Sequence, residues 1–311
     1  MRITVQLIDS ETGKHVWAER YDRDLEDIFD LQDEITQAIV AVLPGRIEAD
    51  RADRAKRTPL ADLAAYDYLI RGKIHHHNST AEDNAEALRN LNKAIELDPN
   101  YAHAHAWRAC VLGQAWVRGY DTGLDDVMAH GRAALKKAYS LDESDPECHR
   151  LLAAISLIEK DFEKMREHQE RGLALSPNYD LIVVQQGEHL AWTGHGDEGA
   201  EWVEKAMRLN PFHPERYWSH LGRARFIARH YAKALEALKK NTTPDVATYA
   251  LIAACAAYLE DDTQAKSYTA KVLEAQPQFT VAEHMPSLPY QNESDQDHHR
   301  EGLIKAGLPQ D

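Results

Sequence analysis

The chain reads as a mainly α protein: a solenoid of stacked helical hairpins, with a small β-hairpin and helix at its N-terminus. Three observations predict this. Ala206-Met207-Arg208-Leu209-Asn210-Pro211 ends an apolar helix on a Pro, and Ala94-Ile95-Glu96-Leu97-Asp98-Pro99 and Gly172-Leu173-Ala174-Leu175-Ser176-Pro177 repeat it. Ala138-Tyr139-Ser140-Leu141-Asp142 is a further echo, and Pro177, Pro211, Pro244 and Pro277 follow one another at steps of 34, 33 and 33. A fixed period in the low thirties marks an array of helical hairpins. Pro lacks the N–H that a helix interior needs and pushes its predecessor out of the α region, so each Pro closes one hairpin. Only the first stretch departs from helical spacing: from Arg2 to Ile8, Ile3, Val5 and Leu7 alternate with Thr4 and Gln6, as in a half-buried strand.

Within 311 residues there is room for about two ordinary domains, or one extended solenoid with an appendage. Against 36 Lys and Arg stand 51 Asp and Glu, a formal charge of −15. That argues against nucleic acid and against an anionic membrane surface, both of which ask for a basic face. Acidity of this kind reads as solubility rather than as a field that steers a ligand. Cys110, Cys148 and Cys255 are scattered through Ala- and Leu-rich stretches, as small buried apolar groups of a reducing compartment would be. The N-terminus turns polar after nine residues, unlike a signal peptide, and no run reaches the ~18 apolar residues that span a bilayer. A cytoplasmic location is expected.

Taken in order, residues 1–57 form a strand, a turn cluster at Asp9 to Lys14, and a second strand at Val16 to Tyr21. From Leu25 to Leu43, Ile28, Phe29, Leu31, Ile35, Ile39, Val40 and Leu43 are spaced three and four apart, which predicts an amphipathic helix. Pro44-Gly45 interrupts it, and a charged stretch from Ile47 to Lys56 joins it to the repeats. Two strands alone are marginal, so the hairpin's open edge invites pairing with another chain, by strand addition or dimerisation.

Residues 58–280 form the hairpin array. Thr58-Pro59 supplies a cap and a first-turn Pro; Ala64 to Ile74 and the segment from Thr80 to Leu97 make the first hairpin. The second spans Tyr101 to Leu141 and is longer by an insertion placed at Arg118 to Asp126, with Gly119 and Gly123. Pro146 to Pro177, Asn178 to Pro211, Glu215 to Pro244 and Val246 to Pro277 follow at near-standard length, the fourth turning at Gly194-His195-Gly196-Asp197. Closest crossings are expected at Ala87, Leu152, Ala153, Gly187, Ala200, Leu221, Gly222, Ala234, Ala253 and Ala265, where small residues let backbones approach beside large ones. Trp107, Trp116 and Trp202 are expected between helices. Residues 281–311 read as a polar cap: Leu288-Pro289-Tyr290, an acidic loop from Glu293 to Asp297, then a short helix from His298 to Ala306.

Trp218, Leu221-Gly222, Tyr231, Ala234 and Pro244 are similar to the signature of the tetratricopeptide repeat family. The other hairpins keep the small residues and the Pro but often lose the Trp and the Leu-Gly. Val5-Gln6-Leu7-Ile8-Asp9, Glu11-Thr12-Gly13, Trp17-Ala18-Glu19-Arg20-Tyr21-Asp22-Arg23-Asp24-Leu25, Asp27-Ile28-Phe29 and Leu31-Gln32-Asp33-Glu34-Ile35-Thr36 resemble the end of the TolB-like domain. That domain precedes such repeats in bacterial class III adenylate cyclases and in winged-helix regulators. The resemblance implies a right-handed solenoid, a partial TolB-like α/β unit, and an effector domain in sequence upstream of this layout. It carries over no cyclase motif, because the matching residues do not occur here. The ending resembles the natural C-terminus of the cyclase-linked repeat proteins.

Chemistry is not signalled. His75-His76-His77 point in different directions from a helix end and cannot converge on one tetrahedral metal ion. His103 and His105, like His298-His299, read as exposed polar residues. There is no HExxH, CxxC, Gly-rich phosphate loop or GxSxG. Glu159-Lys160-Asp161 and Glu163-Lys164 read as salt-laced surface, and Asn78-Ser79-Thr80 and Asn241-Thr242-Thr243 fit a glycosylation pattern without consequence in the cytoplasm. No catalytic residue, cofactor or metal is expected. Function is expected in binding, with a protein or peptide lying along the first helices of the hairpins. By position in the resembled repeat, the groove-facing residues are Arg150, Glu188, Trp192, Arg216, Ser219, Arg223, Phe226 and Tyr258. Arg216, Arg223 and Arg225 stand out in so acidic a chain. Arg beside aromatics either forms a binding hot spot or caps helices and pairs with Asp and Glu of the next hairpin. The remaining expectation is a regulatory region of an adenylate cyclase, or of a winged-helix transcriptional regulator, whose effector lies upstream.

Overall fold

The computed structural model describes residues 2–8, 13, 15–22 and 64–311. The expected helix from Leu25 to Leu43, the joining stretch and the Thr58-Pro59 start lie outside these residues. Strands β1 (Arg2–Ile8) and β2 (His15–Asp22) pair antiparallel, from Arg2 opposite Asp22 to Leu7 opposite Trp17, with a register shift before Ile8. Thr4 and Gln6 are exposed.

Fourteen helices follow among the described residues. They fall into two compact units, Met1–Leu151 and Leu152–Asp311, with the division inside one helix. The first unit holds α1 (Ala65–Asn78), α2 (Ala81–Leu97), α3 (Ala102–Arg118), α4 (Val127–Leu141) and the first turns of α5 (Pro146–Ile158). The second holds the rest of α5, then α6 (Phe162–Leu175), α7 (Asp180–Trp192), α8 (Gly196–Leu209), α9 (Arg216–Ile227) and α10 (Tyr231–Leu238). It continues with α11 (Val246–Tyr258), α12 (Asp262–Ala275), α13 (Val281–Ser287) and α14 (Glu293–Lys305).

The recurring Leu-Asp-Pro and Leu-Asn-Pro endings have a local cause. Asp98, Asp142 and Asn210 each accept the backbone N–H two residues on, at 3.1, 2.8 and 3.0 Å, so the side chain folds the linker into a turn, and after Asp98 and Asn210 a Pro also prevents further helix. Turns inside the hairpins of the second unit share another device. Lys160, Gly194, Arg229 and Glu260 all have left-handed φ, between 58° and 89°. The residue after each donates back five positions, as in Asp161 to Ser156 (2.8 Å) and His230 to Arg225 (2.8 Å), which closes the helix end. The insertion lies where the sequence places it: α3 has 17 residues where α5, α7 and α11 have 13, and Gly119 and Gly123 turn the loop.

Two of the expected crossings, Gly187 and Gly222, leave no room for a side chain, and at Gly187 the obstacle is backbone. A Cβ there would stand 2.5 Å from the Gly199 carbonyl oxygen, so α7 and α8 touch backbone to backbone. Gly199 occupies this contact; Ala200 beside it is only half-buried, as is Leu152, whereas Ala87, Ala153, Ala234 and Ala253 are fully buried. Trp107 is enclosed and donates from Nε1 to His103 Nε2 (3.0 Å), whose Nδ1 lies 2.9 Å from Asp145. Trp116 is 49 % exposed, so its expected interhelical place is not observed; it sits on the extra turn that the insertion adds to α3.

Two expectations for the tail change. The acidic stretch from Glu293 to Asp297 is helix and not loop, because Asn292 ends the preceding extended segment and the carboxylates of Glu293 and Asp295 suit the positive end of α14. His298 and His299 lie inside that helix, and His299 is buried at 1 % exposure. His76 is likewise buried at 4 %, not exposed, packed edge-on to Trp107 at 5.6 Å.

Candidate partner-binding groove

In the second unit the first helices of three successive hairpins are α7, α9 and α11, and they carry seven of the eight expected groove residues. Arg150 lies in the first unit, where its guanidinium pairs with the buried Glu147 and approaches Cys110 Sγ at 3.1 Å.

Across α7 and α9, Trp192 is the centre. The Arg223 guanidinium lies 4.2 Å over its ring, a geometry that favours a cation on an aromatic face. Glu188, one turn earlier, accepts from the Trp192 side chain and stands 3.6 Å from His220. Burial raises the Glu188 pKa, but His220, His189 and Arg223 outweigh it, and the carboxyl is held below its usual range. Burial, partly offset by Glu188, lowers His220. Ser219 turns toward α11, accepting from Asn241 Nδ2 (2.9 Å) with Thr248 Oγ1 at 3.4 Å. Arg216 is half-buried at the start of α9, and Arg225 on another face pairs with Glu204 at 2.7 Å.

What sequence reasoning missed is that this face is covered by the chain's own C-terminal segment. Gln291 N–H donates to the Trp192 carbonyl (3.0 Å) and Asn292 Nδ2 to the Thr193 carbonyl (3.2 Å). The Tyr290 ring meets Trp192 edge-on at 4.8 Å. Arg229 Nη2 donates to Asp295 at 2.8 Å. Phe226 has no exposed surface and packs against His298 and His299, with ring centres at 5.2 and 5.3 Å. Tyr258 stacks on His298 (4.4 Å), donates to its carbonyl (2.7 Å), and Tyr231 brings its hydroxyl within 3.1 Å of His298 Nε2. Gly302 sits where a Cβ would be 2.7 Å from Tyr258 and 3.0 Å from Ala254, so α14 crosses α11 at close range. Phe226 and Trp192 are therefore buried rather than open to solvent. The partners lie up to 99 residues apart in sequence, and no local pattern marks them.

Among the described residues no group of His, Cys, Asp and Glu is arranged to hold a metal ion. Burial pushes the thiols of Cys148 and Cys255 up, away from the reactive thiolate form. No described helix is long and apolar enough to cross a membrane.

No family model matches the chain. A protein of Rhizobium meliloti (strain 1021), described as "Putative adenylate cyclase 3", is 36 % identical over 153 residues; the match takes in 49 % of this chain and 26 % of that protein. This chain therefore matches about a quarter of the relative's length. Among solved structures, an IFIT1 monomeric mutant with Gppp-AAAA superposes with a TM-score of 0.55 at 13 % identity, covering 85 % of this chain and 64 % of the other. The APC/C hetero-tetramer Cut9–Hcn1 gives 0.53 at 16 % identity, covering 81 % of this chain and 45 % of the other. At such identities the likeness concerns fold alone. The described helices follow one another as hairpin pairs, the fold these two structures share, and about half of the chain is similar to part of a protein described as a putative adenylate cyclase.

Proposed function

We propose that this chain is a non-catalytic scaffold that binds a protein or peptide along the first helices of its hairpins. The observation that supports this is the run of Glu188, Trp192, Arg223, Phe226 and Tyr258 on α7, α9 and α11, where a helix and its leading segment already lie. Arg216 and Arg223 supply cationic contacts in a chain of net charge −15, and Ser219 steadies α9 against α11. A partner is first identified and purified, and then tested against Arg216→Glu with Arg223→Glu in the same chain. Affinity is expected to fall at least about tenfold, equivalent to ~1.4 kcal/mol, with helicity unchanged; undiminished binding removes the groove assignment.

The adenylate cyclase match favours a second, more specific reading: the scaffold is the regulatory region of a cytoplasmic cyclase, and β1–β2 is the edge of a TolB-like unit. Strand pairing at that edge is then a route to assembly with another chain. Adding the chain to the isolated catalytic region of the relative is expected to change cyclic AMP production, and no change would discard this reading. A winged-helix effector in place of the cyclase has no such match in its favour.

A further inference from the structure

The terminal segment of the second unit has two parts with different chemistry. Its base is apolar: Val281, Met285, Leu303, Ala306 and Leu308 are each at most 4 % exposed. The base is tied together by Val281 N–H on the Pro309 carbonyl (2.8 Å) and Ala282 N–H on the Gln310 carbonyl (3.0 Å), and to α12 by Thr269 on the Ala306 carbonyl (2.9 Å). Its tip, residues 288–299, adds the buried Leu288 and Tyr290 to the same apolar cluster and otherwise reaches over α7 and α9 through amide, carboxylate and imidazole groups. Hydrogen bonding at this tip is incomplete. His299 Nε2, on a side chain buried at 1 % exposure, and His284 Nε2 beneath it meet no protein partner, and a buried polar atom left so is costly. An apolar base gains from burial roughly in proportion to its area, while a polar contact exchanges with water at small net gain. The base is thus held mainly by apolar burial, and the tip by two apolar side chains together with polar contacts that water can replace.

We infer that residues 288–299 are an intramolecular ligand: they occupy the groove of the second unit and yield it to an external protein segment of the same chemistry, an aromatic residue followed five positions later by a carboxylate at a helix start. The inference rests on the groove reading above and names the occupant that reading leaves open. Tyr290 defines the aromatic subsite, against Trp192 and beside Arg223. Asp295 defines the acidic one, at Arg229. The pair of tyrosines at 231 and 258 takes an imidazole or another flat ring. An incoming segment gains what the tip loses, so the two compete for one face while the base stays in place as the cap of the last hairpin.

Two measurements on the full chain test this. In wild-type protein, hydrogen exchange is expected to be at least tenfold faster for the amides of residues 290–296 than for those of residues 303–308 and α11. Equal protection would overturn the inference, since the segment would then open only with the fold. In Tyr290→Ala with Asp295→Ala, a fluorescent synthetic peptide of residues 287–300 is expected to bind at least tenfold more tightly than to wild type. A variant that keeps its helicity but gains no affinity for the peptide overturns the inference and leaves the groove reading standing, because that reading fails on Arg216 and Arg223. Loss of helicity in the variant would make the tip part of the core, which also overturns it. A wild-type dimer that the peptide splits would place a second copy's tip in the groove, and would overturn the intramolecular assignment.

Discussion

Glu260 holds a left-handed backbone, φ 58°, in an exposed turn where a Cβ is a burden. Glu260→Gly is expected to raise stability by about 0.5–1 kcal/mol, the relief of that strain less the greater freedom of glycine in the unfolded chain, read as a higher urea midpoint. Gly187 is the opposite case. Its missing Cβ is required by the Gly199 carbonyl at 2.5 Å, and Gly187→Ala is expected to cost about 1–3 kcal/mol through overpacking. Histidines give the pH dependence. Burial holds His284 and His298 at about 4, with Arg223 adding to the first and Arg229 and Lys305 to the second, against Asp245 and Asp295 respectively. Burial, with Arg223, also holds His299 well below its ordinary value. Their contribution is full above about pH 6.5, the value of a free imidazole, and is lost as pH falls toward about 4, because the open state takes up the proton first. Urea midpoints are expected to fall between pH 7 and pH 5, and His298→Phe to flatten that slope. Glycines such as Gly187 and Gly222 were legible as crossings because small residues recur at the repeat's period. His298 and His299 were not, since only residues such as Tyr231, Tyr258 and Phe226, remote in sequence, make them interior.

Each helix of the array begins or ends for reasons a few residues long, and these were readable. Thr80 caps α2 by accepting from Asp83 N–H at 3.1 Å, and the Pro period marks the linkers. Asn210 does more than turn the chain: its Nδ2 donates to Asp180 at 2.8 Å, and Asp180 also accepts from Tyr217 at 2.8 Å, so one linker side chain fixes the starts of α7 and α9. Asn210→Ala is expected to cost about 1–2 kcal/mol, for the lost turn bond and the carboxylate's lost partner, in equilibrium unfolding. By contrast α13 and the start of α14 carry no repeat signature. The run from Glu293 to Asp297 looks like loop until its carboxylates are set at a helix N-terminus, where the dipole favours them. Where elements are fixed by their own sequence the reading held, and where they are fixed by what they rest on it did not.

Within each unit, hairpins that bury much of their surface against the next give stability a large nearest-neighbour part, to which the C-terminal segment of the second unit adds contacts remote in sequence. Damage is then local. In the second unit, Gly187→Ala is expected to accelerate hydrogen exchange in α7 to α10 more than in α12, and uniform acceleration would show a single cooperative block. That α7, α9 and α11 lead their hairpins was legible in the repeat, and the proposed groove lies along them. Its state was not legible, because the segment that covers it arrives from the far end of the sequence. One feature of that end bears on how the protein can be handled. Since Pro309 and Gln310 offer their carbonyls to the amides that start α13, these two residues act as a latch. Clipping the chain after Leu308 would unfasten the lobe at its root, and an affinity tag placed after Asp311 would hang beside α13 and pull on that fastening.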